Sequence, residues 1–95
     1  MIQSFADADS QAIFEQRRPR RLSVAVANVA FRKLVQLHTA PSLQDLRVPP
    51  GNRLERLKGD RAGQYSIRVN DQFRICFRWL DGNAFNVEVT DYHGS

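Results

Sequence analysis

Residues 64–77 read QYSIRVNDQFRICF, and their pattern predicts the central element of the fold. Apolar and polar side chains alternate on both sides of Asn70-Asp71-Gln72, which is typical of two half-buried antiparallel strands joined by a short turn. A slip of one residue would turn the apolar side chains to solvent, so we expect Val69 to pair with Phe73. The chain therefore contains a β-hairpin with one apolar and one polar face.

The polar face of this hairpin carries two arginines that face each other. The expected register places Arg68 directly opposite Arg74. Like charges at such positions are unfavourable by roughly a few tenths of a kcal/mol. A carboxylate or a bound anion between the two side chains would relieve this repulsion.

Two interpretations of Arg74 remain open. If residues 80–82 form the next loop, Glu88 lies opposite Arg74 and can form a salt bridge with it; if residues 81–83 form the loop, Thr90 lies there. The alternative to the salt bridge is a basic sheet surface that binds phosphates, because guanidinium groups match phosphate geometry. The side chains that would form this surface are Arg53, Arg56, Lys58, Arg68, Arg74 and Arg78.

Further strands complete a sheet around the hairpin. Phe85, Val87 and Val89 alternate with polar residues and predict a third strand with these three side chains on its apolar face. Residues 53–58 predict a fourth strand, and residues 2–5 predict an edge strand. We therefore expect a mostly antiparallel sheet of four to five strands.

The N-terminal part of the chain predicts a helical hairpin. Asp7 or Asp9 caps a helix over roughly residues 8–17, and Pro19 ends it because the residue before a proline disfavours helix. A second helix follows to about His38, with apolar side chains at helical spacing. Helices packed on an antiparallel sheet give an α+β fold.

The chain is short and basic. Its 95 residues predict a single domain, 1–95, with one small core and no deep private pocket. The net charge is +4, and Lys33 and Lys58 are the only lysines. An arginine-rich surface favours a polyanion or an acidic protein as partner, although codon usage in a GC-rich genome also replaces Lys with Arg.

Composition also limits location and cofactors. Cys76 is the single cysteine, which excludes an intramolecular disulfide framework and is typical of a reducing cytoplasm. No apolar run approaches the length of a membrane span, and residues 1–5 are no signal peptide, so we expect no membrane association. His, Cys and Asp do not cluster at metal-ligand spacing, so we expect no metal and no other cofactor.

The predicted sheet runs into three side chains that can transfer protons, Asp91-Tyr92-His93. Imidazole titrates near neutrality, so His93 is the best candidate for a general acid or base, unless it is simply an exposed chain end. Asp91 orients His93 or closes a structural hydrogen bond. Tyr92 stacks on a base, contacts a phosphate or fills the core.

Four segments of the chain match one known family in order and spacing. They are MIQSF at residues 1–5, LERLKGD at 54–60, the hairpin at 64–77 and EVTDYH at 88–93. Together they resemble the HigB toxins, members of the RelE/ParE-like superfamily of bacterial toxin–antitoxin systems. Tyr65 and Phe73 stand where the family usually has Trp, and Glu55 stands where many members have His.

The resemblance implies both a fold and an activity. The fold is RelE-like, with two helices against an antiparallel sheet. The activity is mRNA cleavage at the ribosome, and the implied partners are the ribosome, mRNA and a helix-turn-helix antitoxin, HigA. Glu55 then acts as a base where relatives use His, or it is a solvated partner of Arg53 or Arg56.

RNA cleavage by transesterification needs a base, a cation that stabilises the phosphorane, and an acid that protonates the leaving oxygen. Arg74 and Lys58 are the candidates for stabilising the phosphorane. The candidate catalytic residues are His93, Tyr92, Asp91, Arg74, Lys58 and Glu55, and the candidate RNA-binding residues are Arg53, Arg56, Arg68 and Arg78.

Two other functions remain open. The first is a non-catalytic toxin on the same fold that inhibits DNA gyrase in the manner of ParE toxins, which needs no terminal His. The second is a toxin-derived binding module that is inactive because Glu55 replaces a His.

Overall fold

The computed structural model describes residues 1–92 as two helices packed on one face of a four-stranded antiparallel sheet. The helices are α1 (Ala8–Phe14) and α2 (Val24–Thr39), and the strands are β1 (Glu55–Arg56), β2 (Tyr65–Arg68), β3 (Phe73–Leu80) and β4 (Asn83–Asp91). The strand order is β1-β2-β3-β4. Short 3₁₀ turns at Leu43–Arg47, Pro50–Asn52 and Gly59–Arg61 connect these elements. The expected α+β class is confirmed.

The N-terminal segment lies along the outer edge of β4. The backbone N–H of Gln3 donates to the carbonyl of Ala84 at 2.7 Å, and that of Ala6 donates to Val87 at 2.9 Å. The segment runs parallel to β4, whereas the four named strands are antiparallel. This is the edge segment expected at residues 2–5, so the sheet is mostly antiparallel, as predicted.

The helical hairpin forms because each helix has a capping side chain and an apolar stripe. The Asp7 carboxylate accepts from the backbone N–H of Ser10 at 2.7 Å, and Ser23 caps α2 in the same way. Helix α1 ends at Phe14, earlier than the expected residue 17, because Gln16 adopts a left-handed conformation with φ of 63°.

The core lies between α2 and the apolar side of the sheet. Helix α2 contributes a stripe of small and aliphatic side chains at helical spacing, and the strands contribute alternate residues. Side chains with no exposed surface include Ala30, Leu34, Leu37, Ile67, Ile75, Phe77, Val87 and Val89. With this side of the sheet covered, the opposite side is left for the polar residues.

The central hairpin has the register expected from its sequence. Ile67 pairs with Ile75, and Arg68 pairs with Arg74. Asn70 forms the turn, because its side-chain oxygen accepts from the backbone N–H groups of Gln72 at 2.9 Å and Phe73 at 2.6 Å.

The second hairpin departs from expectation because β4 contains a bulge. Leu80 pairs with Asn83, so the loop is residues 81–82, and the register shifts between Cys76 and Arg78. Asn86 is the additional residue of the bulge and has a left-handed conformation with φ of 53°.

This bulge changes which side chains of β4 reach the core. Phe85 lies opposite Arg78 on the polar side, and Ala84 is buried in its place, so the prediction for Phe85 was wrong. The bulge also leaves Thr90 opposite Arg74, which is the second of the two expected arrangements.

No helix among residues 1–92 combines the length and the apolar character that crossing a membrane requires.

Candidate active site

A basic cleft of about 600 Å³ lies on the polar side of the sheet, away from the helices. Five of the side chains that line it are cationic and two are carboxylates. The full lining is Arg53, Glu55, Arg56, Leu57, Lys58, Arg68, Asn70, Asp71, Arg74 and Tyr92. The structure therefore brings together seven of the ten candidate residues: Arg53, Glu55, Arg56, Lys58, Arg68, Arg74 and Tyr92.

Strand β1 and the loop after it form one wall of the cleft. Glu55 pairs with Ser66, which places its carboxylate on the same side of the sheet as Arg74. The loop then turns back through Gly59 and Gly63, which have φ of 63° and 90°. Lys58 precedes this turn and lines the cleft.

Arg78 lies outside the cleft, against the same loop. A Cβ atom on Gly63 would sit 2.8 Å from Nη1 of Arg78, the mobile end of an exposed side chain, so it is the φ of 90° that favours glycine at this position. Arg78 is therefore separated from the candidate RNA-binding arginines at positions 53, 56 and 68.

Arg74 is the most firmly held cation of the cleft. Its side chain is only 11% exposed. Its Nε donates to Oγ of Ser66 at 2.7 Å, and its Nη2 donates to the carbonyl of Arg53 at 2.6 Å. Both acceptors are neutral, and the nearest carboxylate oxygen belongs to Glu55, 4.0 Å away. The guanidinium is thus oriented in advance while most of its positive charge remains available.

The backbone around Arg53 is adapted to this contact. Arg53 has φ of 45° and ψ of 58°, a left-handed conformation that is uncommon for a residue with a side chain. Its carbonyl receives the hydrogen bond from Arg74. Such conformations persist where the surroundings over-determine them, and they concentrate at functional sites.

The alternative salt bridge between Arg74 and Glu88 does not form. Glu88 instead accepts from Nη1 of Arg61 at 3.1 Å. The bulge in β4 places Thr90, not Glu88, opposite Arg74. The interpretation of Arg74 as a simple partner of Glu88 was therefore wrong.

Arg68 has a carboxylate partner of its own. It forms an ion pair with Asp71, whose side chain is fully exposed in the turn of the hairpin. This carboxylate lowers the cost of placing Arg68 opposite Arg74, as the sequence indicated. The pair is exposed at the rim, so water and salt screen it and its contribution to stability is small.

The three residues of the C-terminal candidate group have different positions. Tyr92 lines the cleft. Asp91 pairs with Phe73, which turns it to the opposite side of the sheet, and it accepts from Nε2 of Gln72 at 3.1 Å. His93 lies outside the described residues.

The other histidine is a structural residue. Nδ1 of His38 accepts from the backbone N–H of Ile2 at 3.1 Å, and its ring packs against Phe14. His38 therefore connects the N-terminal segment to the end of α2, and it does not line the cleft. Among residues 1–92, no three His, Cys, Asp or Glu side chains are grouped so that they could hold a metal ion.

Cys76 lies on the polar side of the sheet between Ser66 and Glu88, yet it is fully buried. Burial raises the pKa of its thiol to about 11, and the nearby Arg61 guanidinium only partly opposes this effect. The thiol is neutral at physiological pH and is therefore a poor nucleophile.

Two residues that shape the site, Ser66 and Arg61, were not among the candidates predicted from the sequence. Ser66 shares strand parity with Arg68, so the register could have identified it as a neighbour of Arg74. Arg61 lies in the loop between β1 and β2, with its Cζ atom 5.5 Å from the centre of the Tyr92 ring. No local pattern predicts this contact, because 31 positions separate the two residues.

Comparisons with known proteins agree on one family. The family described as RelE-like toxin of type II toxin–antitoxin system HigB matches residues 3–93. The chain is 44% identical over 87 residues to "Toxin HigB-1" of Vibrio cholerae serotype O1, covering 90% of this chain and 92% of that protein. It is 30% identical over 93 residues to "Endoribonuclease HigB" of Proteus vulgaris, covering 98% and 100%.

Solved structures agree with this fold. A YoeB-YefM complex from Staphylococcus aureus contains a chain that superposes with a TM-score of 0.60 at 19% identity, covering 98% of this chain and 95% of that one. A second chain, from a heterotetrameric YoeB-YefM complex of the same organism, gives a TM-score of 0.58 at 16% identity and covers 98% of each chain.

Proposed function

The chain belongs to the HigB-like family of RelE-like toxins of type II toxin–antitoxin systems, and on this premise we propose that it is a ribosome-dependent endoribonuclease that cuts mRNA. The observation that carries the proposal is the oriented Arg74 guanidinium in a cleft lined by four further cations. A phosphodiester seated there meets fixed positive charge where charge develops during cleavage.

The reaction is a transesterification within the RNA. The ribose 2′-oxygen loses its proton and attacks the adjacent phosphorus, forming the P–O2′ bond while the P–O5′ bond breaks. The leaving 5′-oxygen takes up a proton. The products are a 2′,3′-cyclic phosphate and a 5′-hydroxyl, and no oxidant or reductant is consumed.

Each candidate residue has a role in this reaction. Arg74 and Lys58 stabilise the pentacoordinate phosphorane, and Glu55, 4.0 Å from Arg74, is the base that takes the 2′-proton. His93 is the acid that protonates the leaving oxygen, and Asp91 positions the chain that carries it. Arg53, Arg56 and Arg68 bind the flanking phosphates, and Tyr92 stacks on a base.

The shape of the cleft fits a substrate that is presented by a larger assembly. The cleft lies on the open surface of a small sheet, with a buried core on one side only. We therefore propose that the ribosome holds the mRNA strand while the cleft supplies the chemistry. Cleavage at the ribosome places the protein in the cytoplasm.

We also propose an antitoxin as the second partner. The related Staphylococcus aureus chains were solved as complexes named YoeB-YefM. For this chain we propose a HigA-like antitoxin with a helix-turn-helix domain.

Primer extension on a reporter mRNA tests the proposed activity. Wild-type protein should produce cuts with ribosomes and none without them, and Arg74→Ala should lose the cuts while keeping the fold. Intact mRNA together with gyrase-dependent DNA breaks would instead identify a gyrase inhibitor. Intact mRNA without DNA breaks would identify a binding module.

A further inference from the structure

Arg61 joins three parts of the molecule through one guanidinium group. Its Nη1 donates to Oε1 of Gln64 and to Oε1 of Glu88, each at 3.1 Å. Its Cζ atom also lies 5.5 Å from the centre of the Tyr92 ring, within the range of a cation–π contact. Arg61 therefore links the loop after β1 to β4 and to the chain that leaves β4.

Tyr92 needs such a contact because the sheet does not hold it. Strand β4 ends at Asp91, whose partner in β3 is Phe73, the first residue of that strand. Tyr92 lies one residue beyond this last pair, yet it is half-buried and lines the cleft. Arg61 supplies a fixed surface for the ring at this point.

The charge of Arg61 is already balanced by a carboxylate. Its ion pair with Glu88 leaves only 24% of the Arg61 side chain and 27% of the Glu88 side chain exposed. Arg61 is also absent from the lining of the cleft, whereas Lys58 and Arg74 belong to it. Its position fits the holding of Tyr92 better than contact with phosphate.

We propose that Arg61 is a positioning residue that fixes Tyr92 over the cleft that Lys58 and Arg74 line. The inference rests on the proposed nuclease function. The loop that carries Arg61 is suited to this role because it is closed by its own hydrogen bonds. The N–H of Arg61 donates to the carbonyl of Lys58 at 3.2 Å, and that of Gln64 donates to the carbonyl of Arg61 at 3.0 Å.

Arginine, rather than any cation, is required by this geometry. A planar guanidinium can lie against an aromatic ring while its edge donates to two oxygens. A lysine ammonium keeps the charge but cannot make these contacts together. The substitution Arg61→Lys therefore separates the two roles, since a residue that only attracts RNA would tolerate it.

The test is ribosome-dependent cleavage kinetics for Arg61→Lys, Arg61→Ala, Tyr92→Leu and the double variant Arg61→Ala/Tyr92→Leu. We expect both Arg61 variants to lower kcat about tenfold while KM changes by less than about twofold, because alignment and not binding is lost. The double variant should be no slower than Tyr92→Leu alone, because each change removes the same contact between Arg61 and Tyr92. Arg20→Ala, which removes an exposed charge in the α1–α2 loop, is the matched control and should cut like wild type.

A second measurement separates this inference from the nuclease proposal. In NMR spectra, Arg61→Ala should shift the ring signals of Tyr92 and leave those of Tyr65 unchanged. Full activity in Arg61→Lys, additive losses in the double variant or an unmoved Tyr92 ring would overturn the inference. Absence of cutting by the folded wild type would count against the nuclease function, and the ring signals would then decide the role of Arg61.

Discussion

Arg68 and Arg74 lie directly opposite each other across β2 and β3, but they are held by different kinds of group. Arg68 has the Asp71 carboxylate in contact, whereas the near contacts of Arg74 are the neutral oxygens of Ser66 and Arg53. The Asp71 carboxylate therefore weakens the repulsion between the two facing cations. Arg68 is paired at the exposed rim, whereas the nearest carboxylate to Arg74 is that of Glu55, 4.0 Å away inside the cleft.

Loss of Arg74 should abolish most cleavage. We expect Arg74→Ala to lower kcat by about 10²- to 10³-fold, since it removes a preorganised donor from the site of developing charge. Arg74→Lys should recover little, because an ammonium cannot reach Ser66 and the Arg53 carbonyl together. Single-turnover cleavage of ribosome-bound mRNA measures this effect. A loss smaller than about threefold would remove Arg74 from the chemistry.

Ser66 should affect activity through Arg74, and a second buried serine provides its control. Ser66→Ala removes the Oγ acceptor 2.7 Å from Nε of Arg74, so we expect kcat to fall about tenfold. Ser10 is equally buried and accepts from the N–H of Val89 at 2.8 Å. Ser10→Ala should cost about 1–3 kcal/mol of unfolding free energy and leave the rate per folded molecule unchanged. Equal rates for both variants would show that Ser66 does not orient Arg74.

The Cys76 thiol should be unreactive in the folded protein. Because burial raises its pKa to about 11 from 9.0, we expect no alkylation by iodoacetamide at pH 8 until the chain is unfolded. Below pH 9 the thiol is neutral in both the folded and the unfolded chain. Between pH 9 and 11 only the unfolded chain loses the thiol proton, so the free energy of unfolding falls across this range. Urea unfolding of wild type and Cys76→Ala across that range measures the loss. Fast labelling at pH 8 would contradict the burial of Cys76.

Asn52 should stabilise the fold without taking part in RNA cleavage. Its fully buried side chain donates to the carbonyl of Leu46 and to Oε1 of Gln36, each at 3.1 Å, and accepts from Nζ of Lys33. Asn52→Ala leaves these partners unsatisfied, so we expect a loss of about 2 kcal/mol in unfolding free energy. Asn28→Ala, an exposed change on α2, should cost less than about 0.5 kcal/mol by the same urea titration. Similar midpoints for the two variants would contradict this role.

Much of the fold could be predicted because strand parity fixes it. The alternation in residues 64–77 gave the pairing of Arg68 with Arg74 without any structural information. It could not give the bulge, because Asn86 resembles any polar residue of an alternating strand until its φ is seen. Phe85 was therefore placed on the wrong side.

The candidate site was predictable only where its residues share strands. Glu55, Arg68 and Arg74 lie in paired strands, so their proximity follows from register. The contact of Arg61 with Tyr92 joins a loop to the end of a distant strand, and no spacing in the sequence encodes it. Glu88 was assigned to Arg74 in one interpretation because the bulge in β4 was not foreseen, and it is bound by Arg61 instead.

The chemistry of the cut RNA ends decides whether the cleft catalyses transesterification. Ribosome-bound mRNA is treated with the folded wild type and with a folded Lys58→Ala/Arg74→Ala variant, and the new ends are identified by mass spectrometry. We expect 2′,3′-cyclic phosphate and 5′-hydroxyl ends with the wild type and no new ends with the variant. Ends carrying a 3′-hydroxyl and a 5′-phosphate, or equal cutting by the variant, would contradict it.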